Sequence, residues 1–272
     1  MTTEIICGAA LLCAALASAR WTWWRSRAPG LPVLVYHNIG EPPAASTLTD
    51  LWISPQKFRA QISWLLARGY VPLLFSDLLK AQKNGKALPE KAVLITFDGA
   101  YEDTYTFAYR ALHELGAKGN VFVAFNTIGK ADLWQDPGTE PWINMATLDM
   151  LKEMRDSGLI EFGSHTMNHP DLAAIPPEDA AWELTESRKQ LETALELEIR
   201  AFSYPYGSGA GSPEIRELVL KAGYTMDFGL KHGKARWPRG EDAGPIERMP
   251  VTRGDTTLDL NLFLTKGASR LI

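Results

Sequence analysis

Two histidines four residues apart, His165 and His169, are the residues whose type and spacing most directly suggest chemistry. They lie in the stretch I-E-F-G-S-H-T-M-N-H-P, residues 160–170, where a short apolar run ends at Gly163 and Ser164. On one helical turn, or in a loop closed like one, both imidazoles point the same way. Each neutral imidazole can give one nitrogen to a divalent cation, so the pair is the start of a metal site. The alternative is two unrelated surface histidines in a loop.

The chain around these histidines reads as repeated strand–helix units, a pattern that predicts a parallel sheet, open or closed into a barrel. The predicted fold class is therefore α/β. Two long loops, 128–146 and 229–244, are expected to pass over one face. The apolar runs that predict strands lie at 33–36, 70–74, 92–97, 120–125, 160–163, 201–204, 224–228 and 246–251.

Polar residues follow several of these strands, where the active sites of barrel enzymes lie. They are His37, Asp98, the histidine pair, Pro205-Tyr206 and the residues around Arg248, and all are expected on one rim. This convergence favours the metal site over the loop histidines. Asp98 could complete a His-His-carboxylate set with open positions for water, although a helix N-cap is the alternative for it. Metal-bound water loses a proton readily enough to attack an amide or ester near neutral pH.

Three motifs in this order resemble those of the polysaccharide deacetylases, the NodB-homology domains of carbohydrate esterase family 4. They are T-F-D-G-A-Y-E-D at 96–103, G-S-H-T-M-N-H-P at 163–170 and F-S-Y-P-Y-G at 202–207. The stretch V-L-V-Y-H-N-I at 33–39 resembles a branch that acts on the exopolysaccharide poly-N-acetylglucosamine. The resemblance covers residues 31–251. It implies a deformed (β/α) barrel of about seven parallel strands, a divalent metal, usually zinc, and removal of N-acetyl groups from amino sugars.

The resemblance also assigns roles to individual residues. His165 and His169 match the family's metal ligands, and Asp98 matches its general base. Tyr206 matches the residue whose backbone N–H helps to hold the oxyanion of the tetrahedral intermediate. The function implied is a metal-dependent hydrolase that deacetylates an amino-sugar polysaccharide or glycan precursor. The alternative is a catalytically silent, membrane-attached glycan-binding or scaffold subunit that keeps the deacetylase fold.

The first departure from the family concerns the third metal ligand. The family has a second Asp followed by Gly, where this chain has Gly99 and Ala100. Asp98 could turn to the metal, leaving Glu102, Asp103 or a second-shell water to handle the proton. Otherwise the metal keeps only the two histidines and waters. The first arrangement, with Asp98 as both metal ligand and base, is favoured because two neutral histidines offer no charge to offset the cation.

Two further departures concern the acid and the base-orienting arginine. No histidine after His232 can serve as the family's leaving-group acid, so His37 is the substitute candidate. The alternative for His37 is a buried histidine bonded to backbone. Ser203 replaces the family's arginine, and Arg200 begins that strand and should lie at the wrong end. Arg248 is therefore the candidate, with a surface ion pair as the alternative.

Composition excludes some classes of function. The chain has 272 residues, 46% of them hydrophobic and 22% charged. Its net charge is −4, so it lacks the excess of basic residues that is typical of nucleic-acid-binding proteins. The only cysteines, Cys7 and Cys13, lie in the N-terminal apolar segment, so the body has neither a disulfide framework nor a thiolate site. Trp134, Trp142 and Trp237 lie in the two long loops. They could stack on sugar rings if those loops overhang the rim, or simply pack.

The N-terminal segment differs from the rest of the chain. Residues 5–19 are apolar and uncharged, and arginines interleaved with tryptophans follow them. This pattern favours an uncleaved single-pass membrane anchor through residues 5–24, with the body on the cytoplasmic face. The alternative is cleavage after Ala17-Ser18-Ala19, which would give a secreted or periplasmic protein. The predicted organisation is residues 1–30 as anchor or signal segment and 31–272 as catalytic domain, with the motifs in 91–251.

Overall fold

A computed structural model describes residues 3–240 and 243–270 of the chain. The first two residues of the predicted N-terminal segment, positions 241 and 242 of the second predicted loop, and the last two residues of the predicted 31–272 domain lie outside the described residues. Ten strands are described: β1 Val33–Tyr36, β2 Asn38–Ile39, β3 Trp52–Ile53, β4 Val71–Leu73, β5 Ala92–Gly99, β6 Gly119–Val123, β7 Ile160–Ser164, β8 Ala201–Ser203, β9 Met226–Phe228 and β10 Met249–Pro250. Eight α-helices are described: α1 Thr3–Arg20, α2 Pro55–Ala67, α3 Phe75–Lys83, α4 Arg110–Leu115, α5 Leu148–Asp156, α6 Pro177–Leu195, α7 Pro213–Lys221 and α8 Thr257–Lys266.

The main sheet is entirely parallel, with the strand order β10-β1-β5-β6-β7-β8-β9 and β4 paired with the start of β5. A parallel bridge between Phe228 and Ile246 links β9 to the segment just before β10. The sheet therefore curls back towards its own first strand, consistent with a deformed barrel. The predicted parallel α/β fold is confirmed. Because every strand of this sheet runs the same way, all the carboxyl ends lie at one rim.

The helices form where the sequence caps them and supplies an apolar face. Ser54 accepts a hydrogen bond from the Lys57 N–H before Pro55 opens α2, and Thr147 does the same for Met150 at the start of α5. Helix α2 then buries Phe58, Ile62 and Leu65. Burial of such side chains, rather than helix propensity, holds these helices against the sheet, at roughly 1.5–3 kcal/mol for each fully buried residue.

Two local features were not expected from the sequence. The stretch 103–115 is π-helical from Thr104 to Tyr109 and becomes α-helical only in α4. A second, two-stranded parallel sheet pairs β2 with β3, where the sequence predicted no strand. Both features result from tertiary packing that a short sequence window does not contain.

The two long loops behave differently. In the first loop Glu140 is buried and accepts hydrogen bonds from the Ser46 and Thr47 hydroxyls and from the Thr47 N–H, which ties the loop to residues 46 and 47. In the second loop Trp237 packs against the apolar cluster that contains Leu31 and Val33. The first loop therefore overhangs the rim, and the tryptophan of the second serves packing.

The segment between α1 and β1 packs against the C-terminal helix α8. Asp259 accepts hydrogen bonds from the side chains of Arg20 and Trp21, and the Thr22 hydroxyl donates to the Ala268 carbonyl. Trp23 and Trp24 remain about half exposed. Among the residues that the structure describes, no helix is both long and apolar enough to cross a membrane.

Candidate active site

The sequence-predicted residues meet in one cavity of about 360 Å³ at the carboxyl ends of the strands. Of those singled out, His37, Asp98, His165, His169 and Tyr206 line it directly. Arg248 lies beneath, fully buried. The remaining lining residues are Leu48, Leu51, Gly99, Tyr101, Trp134, Gln135 and Leu230. Some of these residues are more than a hundred positions apart in the sequence, and the order of the parallel strands brings them together.

The histidine motif is a loop with two left-handed residues, not a helical turn. His165 follows β7, and Thr166 and His169 have φ values of 70° and 60°. Such conformations cost about 1–3 kcal/mol each in non-glycine residues, so the surroundings must hold them. The Glu183 carboxylate does so by accepting hydrogen bonds from the N–H groups of Met167 and Asn168 at 2.8 and 3.0 Å.

The two imidazoles converge through their Nε2 atoms, which lie 3.1 Å apart. His165 Nδ1 lies 2.7 Å from the carbonyl oxygen of Ser203, so Nδ1 carries the proton and Nε2 keeps its lone pair. Burial lowers the pKa of His165, and burial together with the neighbouring His165 lowers that of His169 well below its ordinary value. Both rings are therefore neutral at pH 7.

Asp98 is held by Arg248 in a two-point contact. Nη1 donates to Oδ1 at 2.6 Å and Nη2 to Oδ2 at 2.8 Å, and the Ser203 hydroxyl donates to Oδ2 at 3.2 Å. Burial opposes ionisation of Asp98, but the charge and hydrogen bonds of the Arg248 guanidinium outweigh it and hold the pKa of Asp98 well below its usual range. The carboxylate is therefore ionised at any working pH.

Arg248 itself is fixed on all sides. Its Nε donates to the Gly229 carbonyl at 3.0 Å, and its guanidinium lies 5.2 Å from the centre of the Phe122 ring. Arg248 therefore lies against Asp98, the position expected of an arginine that orients the base. Arg200, by contrast, is exposed and paired with Glu198 at 2.6 Å. The role of Arg248 in catalysis stays a prediction.

His37 and Tyr206 face the same cavity. Burial is the main reason why the pKa of His37 falls to about 4, and Arg248 and His165 add to the fall although Asp98 opposes it. His37 is therefore neutral at pH 7 and is not a ready proton donor at rest. Tyr206 is left-handed, with φ 59°, and the edge of its ring packs against His169 with centroids 4.7 Å apart. Its side chain is more than half exposed, so substrate can reach this residue.

The arrangement supplies two of the ligands that a divalent cation would need. His165 Nε2 has a lone pair directed at its partner ring, and His169 Nδ1 is buried without a hydrogen-bond partner among the described residues. Two neutral imidazoles at this separation are a suitable pair of nitrogen ligands. Within residues 3–240 and 243–270, however, no three His, Cys, Asp or Glu side chains form a metal-binding group. The predicted ligand set of His165, His169 and Asp98 stays a prediction.

Trp134, which the sequence offered as a residue that could stack on a sugar ring, stacks on His169 with ring centroids 4.2 Å apart and lines the cavity. Two other site residues, Ser203 and Glu183, were not recognised from the sequence. Ser203 links Asp98, Arg248 and His165 in one network. Its place two residues before the Pro of the third motif was a signal, but it was interpreted only as a missing arginine. Glu183 gave no signal, because its position on α6 resembles any polar helix residue.

The comparison with family models decides the family. Residues 85–226, just over half of the chain, match the model described as polysaccharide deacetylase. The chain belongs to the polysaccharide deacetylase family. The resemblance drawn from the three motifs is thereby confirmed, and the family is one of hydrolases that act on N-acetyl amide bonds of sugars.

Individual relatives of this polysaccharide deacetylase extend the match beyond the motif region. The Bacillus subtilis protein YxkH, named for the same family, is 29% identical over 85% of this chain and 75% of its own length. The poly-β-1,6-N-acetyl-D-glucosamine N-deacetylase of Escherichia coli K12 is 26% identical over 76% of this chain. This chain covers 34% of that relative's length, about a third.

Solved structures agree on the fold. IcaB from Ammonifex degensii superposes with a TM-score of 0.68 at 26% identity, covering 84% of this chain and 94% of that one. The Streptococcus pyogenes deacetylase PplD, solved with acetate, gives a TM-score of 0.74 at 24% identity over 87% of this chain and 99% of that one. The second match supports the fold alone.

Proposed function

We propose that this chain hydrolyses the N-acetyl groups of a poly-N-acetylglucosamine-type polysaccharide. The observation that carries the proposal is the shared cavity, in which an ionised Asp98 and two neutral, converging histidines lie together in a member of the deacetylase family. The printed names of the E. coli and Staphylococcus aureus relatives support β-1,6-linked N-acetylglucosamine as the substrate. A sugar polymer is also consistent with the aromatic walls of the cavity.

A divalent cation such as zinc would be held by His165 and His169, and when bound it would activate water and polarise the acetyl carbonyl. Asp98 would accept the proton of the attacking water, and Arg248 keeps that carboxylate in place. The Tyr206 N–H would donate to the oxyanion. His37 would pass a proton to the leaving amine. Because His37 is neutral at rest, the proton that Asp98 takes from the attacking water would have to pass to His37 before the amine leaves.

The test is acetate release from β-1,6-linked N-acetylglucosamine oligomers. We expect the His165→Ala/His169→Ala double variant to release acetate at no more than about 10⁻³ of the wild-type rate, because removal of the metal centre removes several kcal/mol of transition-state stabilisation. A chelator should abolish wild-type activity, and zinc should restore it. Ala in place of the exposed His113 is the matched control. Equal release by wild type and double variant would refute the proposal.

A glycan-binding protein without turnover is the second candidate, favoured by Gly99 in place of the family's second Asp. It predicts oligosaccharide binding that chelators leave unchanged and no acetate release. Metal analysis of the purified chain separates the two candidates, because a stoichiometric metal counts against the silent protein.

We also propose that the chain is attached to a membrane through residues 5–24. The uncharged apolar run, the exposed Trp23 and Trp24 and the flanking arginines support this. The proposal includes the orientation favoured by the sequence, with the catalytic domain on the cytoplasmic face of the membrane. Mass spectrometry of the mature protein should give an intact N-terminus. A chain that begins at Arg20 would instead mean a cleaved signal peptide and an extracytoplasmic enzyme.

A further inference from the structure

A second groove, of about 430 Å³, lies directly beside the catalytic cavity. Tyr101 lines the cavity, and the next two residues, Glu102 and Asp103, line the groove. On the other wall the Trp142 indole N–H donates to the carbonyl of Gln135 at 2.8 Å, and Gln135 lines the cavity. The groove and the cavity are therefore neighbours, linked along the chain at residues 101–103 and by the hydrogen bond between Trp142 and Gln135.

Aromatic rings form the sides and floor of the groove. Trp142 is 49% exposed and Phe107 is 42% exposed, while Trp52 is buried at the floor. Gly40 lets the backbone come close to this floor, since a methyl group added there would lie 3.3 Å from the Trp52 ring. Exposed rings beside a groove are suited to the apolar faces of sugar rings.

Phe107 is displayed by the π-helical turn Thr104–Tyr109, which also places Thr106 in the groove wall. π-Helical turns are rare and occur often at functional sites. The Thr104 hydroxyl in this turn is buried without a hydrogen-bond partner among the described residues. The π-helical form, which is less stable than the α-helical form, is thus retained where Phe107 faces the groove.

The polar lining of the groove is acidic. Glu41, Glu102 and Asp103 face it, and no Lys or Arg is among the described residues that line it. Arg253 pairs with Glu41 at 3.0 Å on the exposed side, which leaves two carboxyl groups unbalanced. This charge favours a cation and disfavours a neutral acetamide.

Asp103 is the best-placed of these groups. Its Oδ2 accepts a hydrogen bond from the Asn38 amide at 3.2 Å, but its Oδ1 is buried without a partner in the described part of the chain. Burial is the main reason why the pKa of Asp103 rises to about 7, and the Glu102 carboxylate adds to it. An ammonium group in the groove would favour the ionised form of Asp103, because opposite charges attract.

We propose that this groove is a second sugar subsite that binds a glucosamine residue whose acetyl group has already been removed. The proposal rests on the proposed function, because it takes the product of that reaction as its ligand. The ammonium group lies beside the Glu102 and Asp103 carboxyl groups, and the sugar ring packs on Trp142 and Phe107. Stacking of a cationic sugar on an indole adds a cation–π contribution. An acetylated residue of the same polymer then lies in the catalytic cavity, so partly deacetylated chains bind better than fully acetylated ones.

The test is isothermal titration of the full chain, with a chelator present to prevent turnover, with two β-1,6-linked hexasaccharides, one fully N-acetylated and one fully deacetylated. We expect the deacetylated oligomer to bind about tenfold more tightly at low salt. Trp142→Ala should weaken that oligomer about tenfold, and Asp103→Asn should remove the preference between the two. Trp182→Ala is the matched control, since Trp182 is 50% exposed on α6 away from the groove, and it should change nothing. Added salt should reduce the preference of the wild type.

Equal binding of the two oligomers by the wild type would overturn the subsite. So would a Trp142→Ala variant that binds the deacetylated oligomer as tightly as the Trp182→Ala control. If Asp103→Asn fails to fold, Phe107→Ala takes its place, and an unchanged affinity there would count against the groove. Acetate release measured on the same wild-type protein keeps the two proposals apart. If the wild type binds the deacetylated oligomer tightly but releases no acetate, the proposed function is refuted. If it releases acetate normally but binds both oligomers equally, the subsite is refuted.

Discussion

Replacement of Asp98 by asparagine is expected to lower acetate release by about 10²–10⁴-fold, the usual contribution of a general base. Asparagine keeps the shape of the side chain but cannot accept the proton of the attacking water. Initial rates on the N-acetylated hexasaccharide measure the effect. Asp255→Asn is the control, because Asp255 is equally buried and is paired with an arginine, Arg270 at 2.7 Å, but lies outside the catalytic cavity. Activity of Asp98→Asn within tenfold of Asp255→Asn would contradict the assignment.

The same variant separates the two arrangements that the sequence left open. Both Asp98 oxygens accept hydrogen bonds from Arg248, and the guanidinium neutralises the charge that would attract a cation. We therefore expect Asp98→Asn to bind zinc about as well as the wild type in competition with a chromogenic chelator. The sequence alone favoured the opposite result, with Asp98 as ligand and base together. Parallel loss of zinc and activity would support that dual role.

Asp98→Asn should also lose stability, because it leaves the buried Arg248 unpaired. Loss of one partner of a buried ion pair costs about 3–5 kcal/mol in the free energy of unfolding. The folded-state pKa of Asp98 is lowered, so the stabilisation by the ionised group is complete above the unfolded pKa of about 3.9 and is lost as the pH falls through the folded value. Urea unfolding should show a constant difference between wild type and variant from pH 7 to about 5, and a smaller one below about 4.

The sequence predicted the parts of this site that depend on local pattern. Buried apolar runs mark the strands, and a parallel sheet brings His37, Asp98 and His165 to one rim whatever the details of packing. These expectations needed only strand order and direction. Arg248, 150 residues from Asp98, was chosen from the sequence only because Ser203 and Arg200 could not serve, and it lies buried beneath the cavity rather than on the rim.

The parts that the sequence did not predict depend on contacts between distant elements. The stacking of Trp134 on His169 depends on how the first long loop folds over the rim, which Glu140 fixes through Ser46 and Thr47. The π-helical turn occupies a stretch whose pattern is equally helical in the α form. No local periodicity distinguishes these outcomes, since the deciding partners lie far away in the chain.

Gly99→Asp, the substitution that would restore the family's third ligand, is expected to fail as a single change. Gly99 has φ 103°, and a Cβ added there would lie 2.6 Å from Cε2 of Tyr101. An aspartate at this position is strained in its backbone and overlaps a buried ring. We expect a loss of about 1–3 kcal/mol in the free energy of unfolding, measured by urea denaturation, and no tighter zinc binding.

The double variant Gly99→Asp/Ala100→Gly should behave differently. Ala100 has φ 58°, a left-handed conformation that glycine adopts without strain. The family's Asp-Asp-Gly order has glycine at this position. The aspartate introduced at position 99 could then leave the left-handed region, move away from Tyr101 and approach the two histidines. A third, charged ligand should tighten zinc binding at least about tenfold in the chelator competition. Ala100→Gly alone is the control and should leave zinc affinity unchanged while it relieves the strained alanine. If the double variant binds zinc no better than this control, the space beside Tyr101 cannot accept a ligand, and the two histidines hold the metal without a carboxylate at position 99.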